Sequence, residues 1–562
     1  MKPNVAPVVT SPLGNYQQYD QAIRVVDLTG FFRDPDASSA VRLTTSLGPM
    51  NFTLDGETAP LTVANFLNYV NSGRYFKVDP TNGALASLFI HRSVTNFVIQ
   101  SGGYIGTVYP GVPTVLQGTA VAPFPPVKNE PFISNRRGTI AMAKVGGDPN
   151  SATSQWFINL ADNSGGSAAL DTQNGGFTVF GRVAGSGMAV ADAIAAVPKY
   201  LFGTIGGPFN SLPLLGYSQN DYNNNKPVRV SNVISIPEFT QIPPLQFSVT
   251  SSDPTVATAA VSGTRLLVRA AKLGSAQITI TATDLDGATV SQSFAVTAIG
   301  APGRILNIST RANFPLGNEA LTAGFIVNGG PSNQVVVRAV SSTAGVENPL
   351  HDLALEVFNA QGQLIASNDN WGDSPDAQLL TDLQIAPQNA RESAVFLTLP
   401  SAQTGVISYT ARVRSADSKP GRGLVEVYSV DSGPGSTLKN ISTLGPIGIN
   451  ADVLIGGFIL RGADLRRLVV RARGPSLTNQ NVQGALANPK LELYNSQGVV
   501  IGSNDDWQTH PGAAEIQQFG LAPENPNEAA VIATLPAGAY TAKVSGVGNT
   551  TGVGQIELFQ VQ

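Results

Sequence analysis

The feature that most restricts this chain is a long internal repeat. Asn307-Ile-Ser-Thr310 returns as Asn440-Ile-Ser-Thr443 and Val336-Val-Arg-Ala339 as Val469-Val-Arg-Ala472, a shift of 133 residues in each case (307 to 440, 336 to 469). Ser367-Asn-Asp-Asn-Trp371 returns as Ser503-Asn-Asp-Asp-Trp507. A period this long exceeds the roughly 20–50 residues of a solenoid repeat, so it marks two copies of a globular unit, placed at 301–431 and 432–562. Inside each copy Leu355-Glu-Val-Phe358 and Leu491-Glu-Leu-Tyr494 alternate in polarity and run into the turns Gln361-Gly362 and Gln497-Gly498. That alternation between turns predicts β-sandwiches. Similar runs begin earlier, at Leu245–Val249, Arg265–Val268 and Gln277–Thr281.

Upstream of about Pro243 the pattern is mixed. Val41–Leu47 and Met50–Leu54 flank Gly48-Pro49 and predict a hairpin. Val63, Phe66, Leu67 and Val70 fall on one helical face between Pro60 and Gly73, and Met188–Val197 predicts a second helix stopped by Pro198. With 562 residues the chain has room for several cores. It contains no cysteine, which excludes disulfides, thiolate zinc sites, iron–sulfur clusters and a thiol nucleophile. A net charge of −4 with only 13% charged residues supplies no field for nucleic acid or anionic lipid. No stretch reaches the roughly 18 apolar residues of a membrane span. The low charge and the Thr/Ser/Asn/Gly-rich strands resemble exported bacterial surface proteins. The expected location is therefore periplasmic, cell-surface or extracellular, with any signal peptide outside this sequence.

Five blocks carry the chemistry: Phe89-Ile-His-Arg-Ser-Val-Thr-Asn-Phe-Val-Ile-Gln-Ser-Gly-Gly103, Lys128-Asn-Glu130, Asn135–Ala143, Ser154-Gln-Trp-Phe-Ile158 and Phe180-Gly-Arg-Val183. In this order and spacing they resemble the cyclophilins, a family of peptidyl-prolyl cis/trans isomerases, over about residues 41–238, within a domain placed at 39–238. The resemblance implies a closed β-barrel with two helices, no cofactor, and proline-containing peptides or unfolded chains as partners. It also implies roles. Arg92 would be the catalytic donor, with Gln100 and Phe97 beside it. Val98, Met142, Phe157, Leu170 and Phe177 would line the proline pocket, Gln155 would contact its edge, and the main chain of Ala143 and Lys144 would pair with the peptide. Twisting an Xaa–Pro bond breaks amide resonance against a barrier of ~18–20 kcal/mol, and the prolyl nitrogen becomes basic, so a guanidinium aimed at it favours the twisted form.

Some residues depart from the family pattern. Ala169 stands where many members have tryptophan, Lys144 where asparagine is common, Val98 for methionine, Phe177 for histidine and Ser101 for glycine. Weak binding of cyclosporin-type inhibitors is the expected consequence. The segment Tyr104–Pro126 is read as a surface loop near the site. His91 matches a structural histidine, and His351 and His510 read as surface residues.

Asp369, Asp505 and Asp506 could offer oxygens to calcium, as could Asp34-Pro-Asp36 and Asp284-Leu-Asp286, but Asp and Asn equally satisfy turns. The turn reading is preferred, and no metal is assigned. Residues 240–300 resemble bacterial immunoglobulin-like or cadherin-like modules, whose opening strands are expected at 5–38, so the isomerase would be an insertion. The whole is a multidomain, mainly β protein: a cyclophilin-like barrel, an Ig-like sandwich and two homologous sandwich modules with cell-surface or glycan contacts open to them. The function expected is prolyl isomerisation outside the cytoplasm. The alternative is a non-catalytic adhesion or matrix protein that uses the cyclophilin unit to bind proline peptides.

Overall fold

The computed structural model describes residues 4–108, 112, 114–202, 209–314, 320–328, 333–341, 348–400, 406–430 and 437–561. The chain divides into two compact units, one of residues 1–12, 29–248 and 280–292, the other of 13–28, 249–279 and 293–562.

In the first unit the predicted hairpin is Ser39–Thr45 and Gly48–Leu54, with Ala40 opposite Thr53. The two expected helices span Pro60–Asn71 and Gly187–Ala196. Phe66 and Val63 face inward from the first, where Phe66 meets Phe180, Trp156 and Phe239. The main sheet has eight strands, running from Glu238–Ile242 through the hairpin, Val179–Ala184, Thr139–Met142, Trp156–Asn159 and Val98–Ser101 to Arg92–Val94. A second sheet centres on Leu85–Phe89 and Tyr104–Val108. The ladders thus form two sheets, and no strand pairing among the described residues joins them into one closed ladder.

The described residues of Tyr104–Pro126, which leave out 109–111 and 113, are not a plain loop. Tyr104–Val108 and Leu116–Ala120 pair antiparallel, because Ile105, Thr107 and Leu116 supply inward positions buried to within 3% exposure. Glu238–Ile242 lies antiparallel to Ser39–Thr45 with Ile242 opposite Ala40, so the two ends of the segment 40–242 meet.

In the second unit, Ile23–Asp27 pairs antiparallel with Arg265–Ala270, and Tyr16–Tyr19 runs parallel to the end of Thr289–Ile299. Val8–Val9 instead pairs with Phe32–Arg33 in the first unit.

The repeats do not stand as two independent beads. The opening strand of the first copy, Arg304–Phe314, pairs with Gly421–Ser429 of its own copy and with Leu454–Arg461 of the other. Its counterpart Thr437–Ile447 pairs with Gly552–Gln560 and, across the copies, with Ala320–Asn328. The equivalent hydroxyls of Thr310 and Thr443 hydrogen-bond each other at 2.8 Å. One core holds side chains of both copies, from Ile305 to Leu558. Homologous strands can exchange because each finds in the other copy the same surface as in its own.

The tryptophan motifs are turns. Asn368 receives the Ala394 N–H and donates to the Asn370 carbonyl, and Asn504 does the same with Ala530 and Asp506. Among the described residues no group of three or more His, Cys, Asp or Glu side chains could hold a metal ion, so Asp369, Asp505 and Asp506 stand in none. Asp36 and Asp286 are instead ion-paired to Arg182, at 2.9 and 2.5 Å.

Candidate active site

Arg92 stands directly opposite Gln100 on the neighbouring strand. Gln100 is opposite Phe157, Phe157 opposite Ala141, and Ala141 opposite Val179. Opposed residues of a ladder project from the same face, so one row across five strands carries a cation, then an amide, then an apolar bed. Val98, Ala141, Phe157, Leu170 and Val179 form that bed as a buried cluster, with Phe97, Ala143 and Phe177 packed half-buried around it. The rings of Phe157 and Phe177 meet edge-on, centroids 5.9 Å apart.

Met142 is not in this bed. It is one residue out of phase with Ala141, opposite Trp156, and only 1% exposed within the main core. The strand's period of two sends it to the other face, which corrects the expected substrate contact.

The polar end is a chain of amides. Arg92 Nη1 donates to Gln100 Oε1 over a long 3.4 Å, and Gln100 Nε2 donates to Gln155 Oε1 at 2.8 Å. Gly103 makes room for this, since a Cβ there would lie 2.8 Å from Gln155 Cδ. Arg92 is half-buried, its Cζ is 5.8 Å from the Phe97 ring centroid, and among the described residues no carboxylate pairs with it. Burial lowers its pKa from the usual value, but guanidinium starts so high that it stays charged. His91 is pushed down to about 3 by burial and then by the Arg92 charge, against a hydrogen bond with the Gln155 side chain. It is therefore a neutral imidazole at physiological pH, packed edge-on to Tyr104 at 5.2 Å.

Lys144 Nζ donates to the carbonyls of Asn174 and Gly176 at 2.9 and 2.6 Å and lies 4.8 Å from the Phe177 centroid. It ties the turn that presents Phe177. The Ala143 N–H is taken by the Gln155 carbonyl at 2.9 Å, so this donor is not free for the strand-like pairing expected of it. Ala169 adopts a left-handed φ of 44° just before Leu170.

Several supporting residues escaped sequence reasoning. Asn163, 2% exposed, donates to the Phe97 carbonyl at 2.9 Å and fixes that ring's backbone. Behind the Arg92 strand, the hairpin Lys199–Phe202/Phe209–Pro213 donates from Ser211 Oγ to the Ser93 carbonyl and packs Phe209 on Phe89 and Tyr104. The aromatic run Tyr200-Leu-Phe202 was the available signal. Val179 could have been read from its alternation with Phe180.

The family model for "Cyclophilin type peptidyl-prolyl cis-trans isomerase/CLD" matches residues 40–202. Peptidyl-prolyl cis-trans isomerase A of Dickeya dadantii is 38% identical over 197 residues, which is 34% of this chain and 88% of that protein. The chain belongs to the cyclophilin-type peptidyl-prolyl cis-trans isomerases. The Acinetobacter baylyi peptidyl-prolyl cis-trans isomerase is 38% identical over 30% of this chain and 77% of its own length. The Streptomyces antibioticus isomerase cyp18 is 40% identical over 28% of this chain and 84% of its own length. All three matches are confined to about a third of the chain, so the enzyme is a cyclophilin domain within a larger, mainly β protein.

Proposed function

We propose that Arg92 is the electrostatic donor of this cyclophilin and that the Phe157 bed holds the proline ring. The observation that carries the reading is the shared row: Arg92 and Gln100 face each other and continue into Phe157, Ala141 and Val179. A proline seated on the bed, worth about 0.8 kcal/mol per buried methylene, would bring its nitrogen toward the guanidinium. As the bond twists, the nitrogen's lone pair localises and accepts an Arg92 N–H. Gln100 supports this by holding one end of Arg92 through its carbonyl oxygen and fixing its own amide on Gln155. The planar substrate has no such lone pair, so the contact strengthens only near the transition state. A stabilisation of about 7 kcal/mol would correspond to about 10⁵-fold in rate.

We further propose that the isomerase is an insertion. Its ends meet at Ala40 and Ile242, while residues 16–27 pair with strands that follow it in sequence. Domain insertion favours such adjacent ends. The sandwiches would carry the enzyme outside the cytoplasm and bring it to extended client chains.

A protease-coupled assay on a short Xaa–Pro peptide tests the reading. The intact chain should isomerise the peptide and Arg92→Ala should lose most of the rate. Equal rates would instead favour a proline-peptide binding module whose turnover is incidental.

A further inference from the structure

The second unit holds a cavity of about 210 Å³ that isomerisation does not use. Arg269 and Arg461 stand on its wall. Both are exposed, and among the described residues neither side chain has an ion-pair or hydrogen-bond partner. Gln384 and Tyr428 add polar lining, and Leu306 and Ile385 give an apolar floor. That space is many times what a single water needs, enough for one sugar ring.

The internal repeat provides a control. Gln384 follows the helix Ala377–Asp382 in a left-handed conformation, φ 60°, and the next residue's N–H closes back on Leu380. In the second copy the same cap after Ala513–Gln518 is made by Gly520, φ 69°, with Leu521 closing on Ile516. Glycine adopts that conformation without steric cost and glutamine does not. The first copy therefore carries a strained amide side chain where the second uses the relaxed residue. Tyr428, opposite Val336, corresponds to Phe559, opposite Val469. Arg461, three residues after Phe458, corresponds to Asn328, three after Phe325. Arg269 has no counterpart in the repeat, but where the lining can be matched, Gln384, Tyr428 and Arg461 stand in place of Gly520, Phe559 and Asn328, and strain at a cavity wall is where function is sought.

We propose that this cavity binds a carboxylate-bearing sugar, the uronate unit of an acidic polysaccharide. Two guanidinium forks match a carboxylate bidentately. Their N–H groups outnumber its lone pairs, and with the Gln384 amide they can serve ring hydroxyls as well. The floor suits the apolar face of a pyranose. A peptide C-terminus brings the carboxylate but not the hydroxyls, so it is the weaker fit. The inference does not depend on the isomerase reading.

Ligand-observed NMR and calorimetry on the full chain would test it, with D-glucuronate as probe, and with D-glucose and an acetylated dipeptide carrying a free C-terminus as controls. Glucuronate should bind at least about tenfold more tightly than either control. The double variant Arg269→Ala/Arg461→Ala should abolish that binding, Gln384→Gly should weaken it a few-fold, and prolyl isomerase activity should stay unchanged in both variants. Glucuronate binding no tighter than glucose, binding that survives the double arginine variant, or an equal affinity for the dipeptide would each overturn the assignment.

Discussion

Arginines in two regions of this protein sit on strands beside aromatic rings and behave in opposite ways. In the repeats, Arg338 is ion-paired with Glu426 at 2.5 Å, donates to the Ile385 carbonyl and to Tyr428, and lies 4.9 Å from the Tyr428 centroid. Arg471 copies it with Glu557, Leu521 and Phe559. In the isomerase, Arg92 keeps a single long bond to an amide and a distant ring. A guanidinium saturated by its own fold has nothing left to offer a substrate. One left short of partners beside an apolar bed costs the fold some stability and retains donors for a transient nitrogen.

The sharpest way to break the comparison is to delete each kind of partner. Glu426→Ala should cost about 3–5 kcal/mol of unfolding free energy, because it strands a buried charge, with the isomerase rate per folded molecule unchanged. Thermal or denaturant unfolding beside an activity assay reads both. Arg92→Ala should do the reverse, losing about 10²–10³ in kcat/KM, the scale for removing one electrostatic donor, while the melting temperature holds. If either variant shifts both readouts equally, the distinction between the two arginines fails.

Gln100→Ala should have a smaller effect, about tenfold in kcat, because it loosens Arg92 without removing it. Steady-state kinetics with the melting point held constant would check this.

The pH behaviour sharpens the comparison further. Arg92 remains a cation and His91 remains neutral down to about 3, so kcat/KM should be flat from about pH 5.5 to about pH 9. A step near 6.5 would mean that His91 titrates in the working enzyme. Stability should tell a different story at the same residue. His91 binds a proton in the unfolded chain below its usual value and not in the fold until about 3, so its contribution falls as pH drops through that window, by up to about 1.4 kcal/mol per pH unit. The raised carboxyl of Asp34, pushed up to about 7 by burial, acts with the opposite sign. The clean readout is therefore the difference between wild type and His91→Gln, which should shift in favour of the variant as pH falls from 6.5 toward 4.

Much of the site was legible in the sequence because five compact blocks fix its residues in order, and the strand ladders bring Arg92, Gln100 and Phe157 into one row. Met142 was misplaced because a motif names neighbours without saying which face each takes, and the period of two does. The Tyr104–Ala120 hairpin was missed because its Gly and Pro content hid the alternation. Least legible was the exchange of opening strands between the repeats. Repetition reveals that two copies exist, but homologous strands fit either copy, so which partner Arg304–Phe314 takes is settled only by the folded ladders.

The central claim is that Arg92 acts on the twisted bond and not on the resting peptide. NMR exchange spectroscopy on an Xaa–Pro peptide, run with the full chain and with Arg92→Ala, measures binding and interconversion in one experiment. The account predicts that the dissociation constant changes by less than about threefold while interconversion on the enzyme slows by about 10² or more. Affinity and interconversion falling together, or interconversion persisting without the guanidinium, would contradict it.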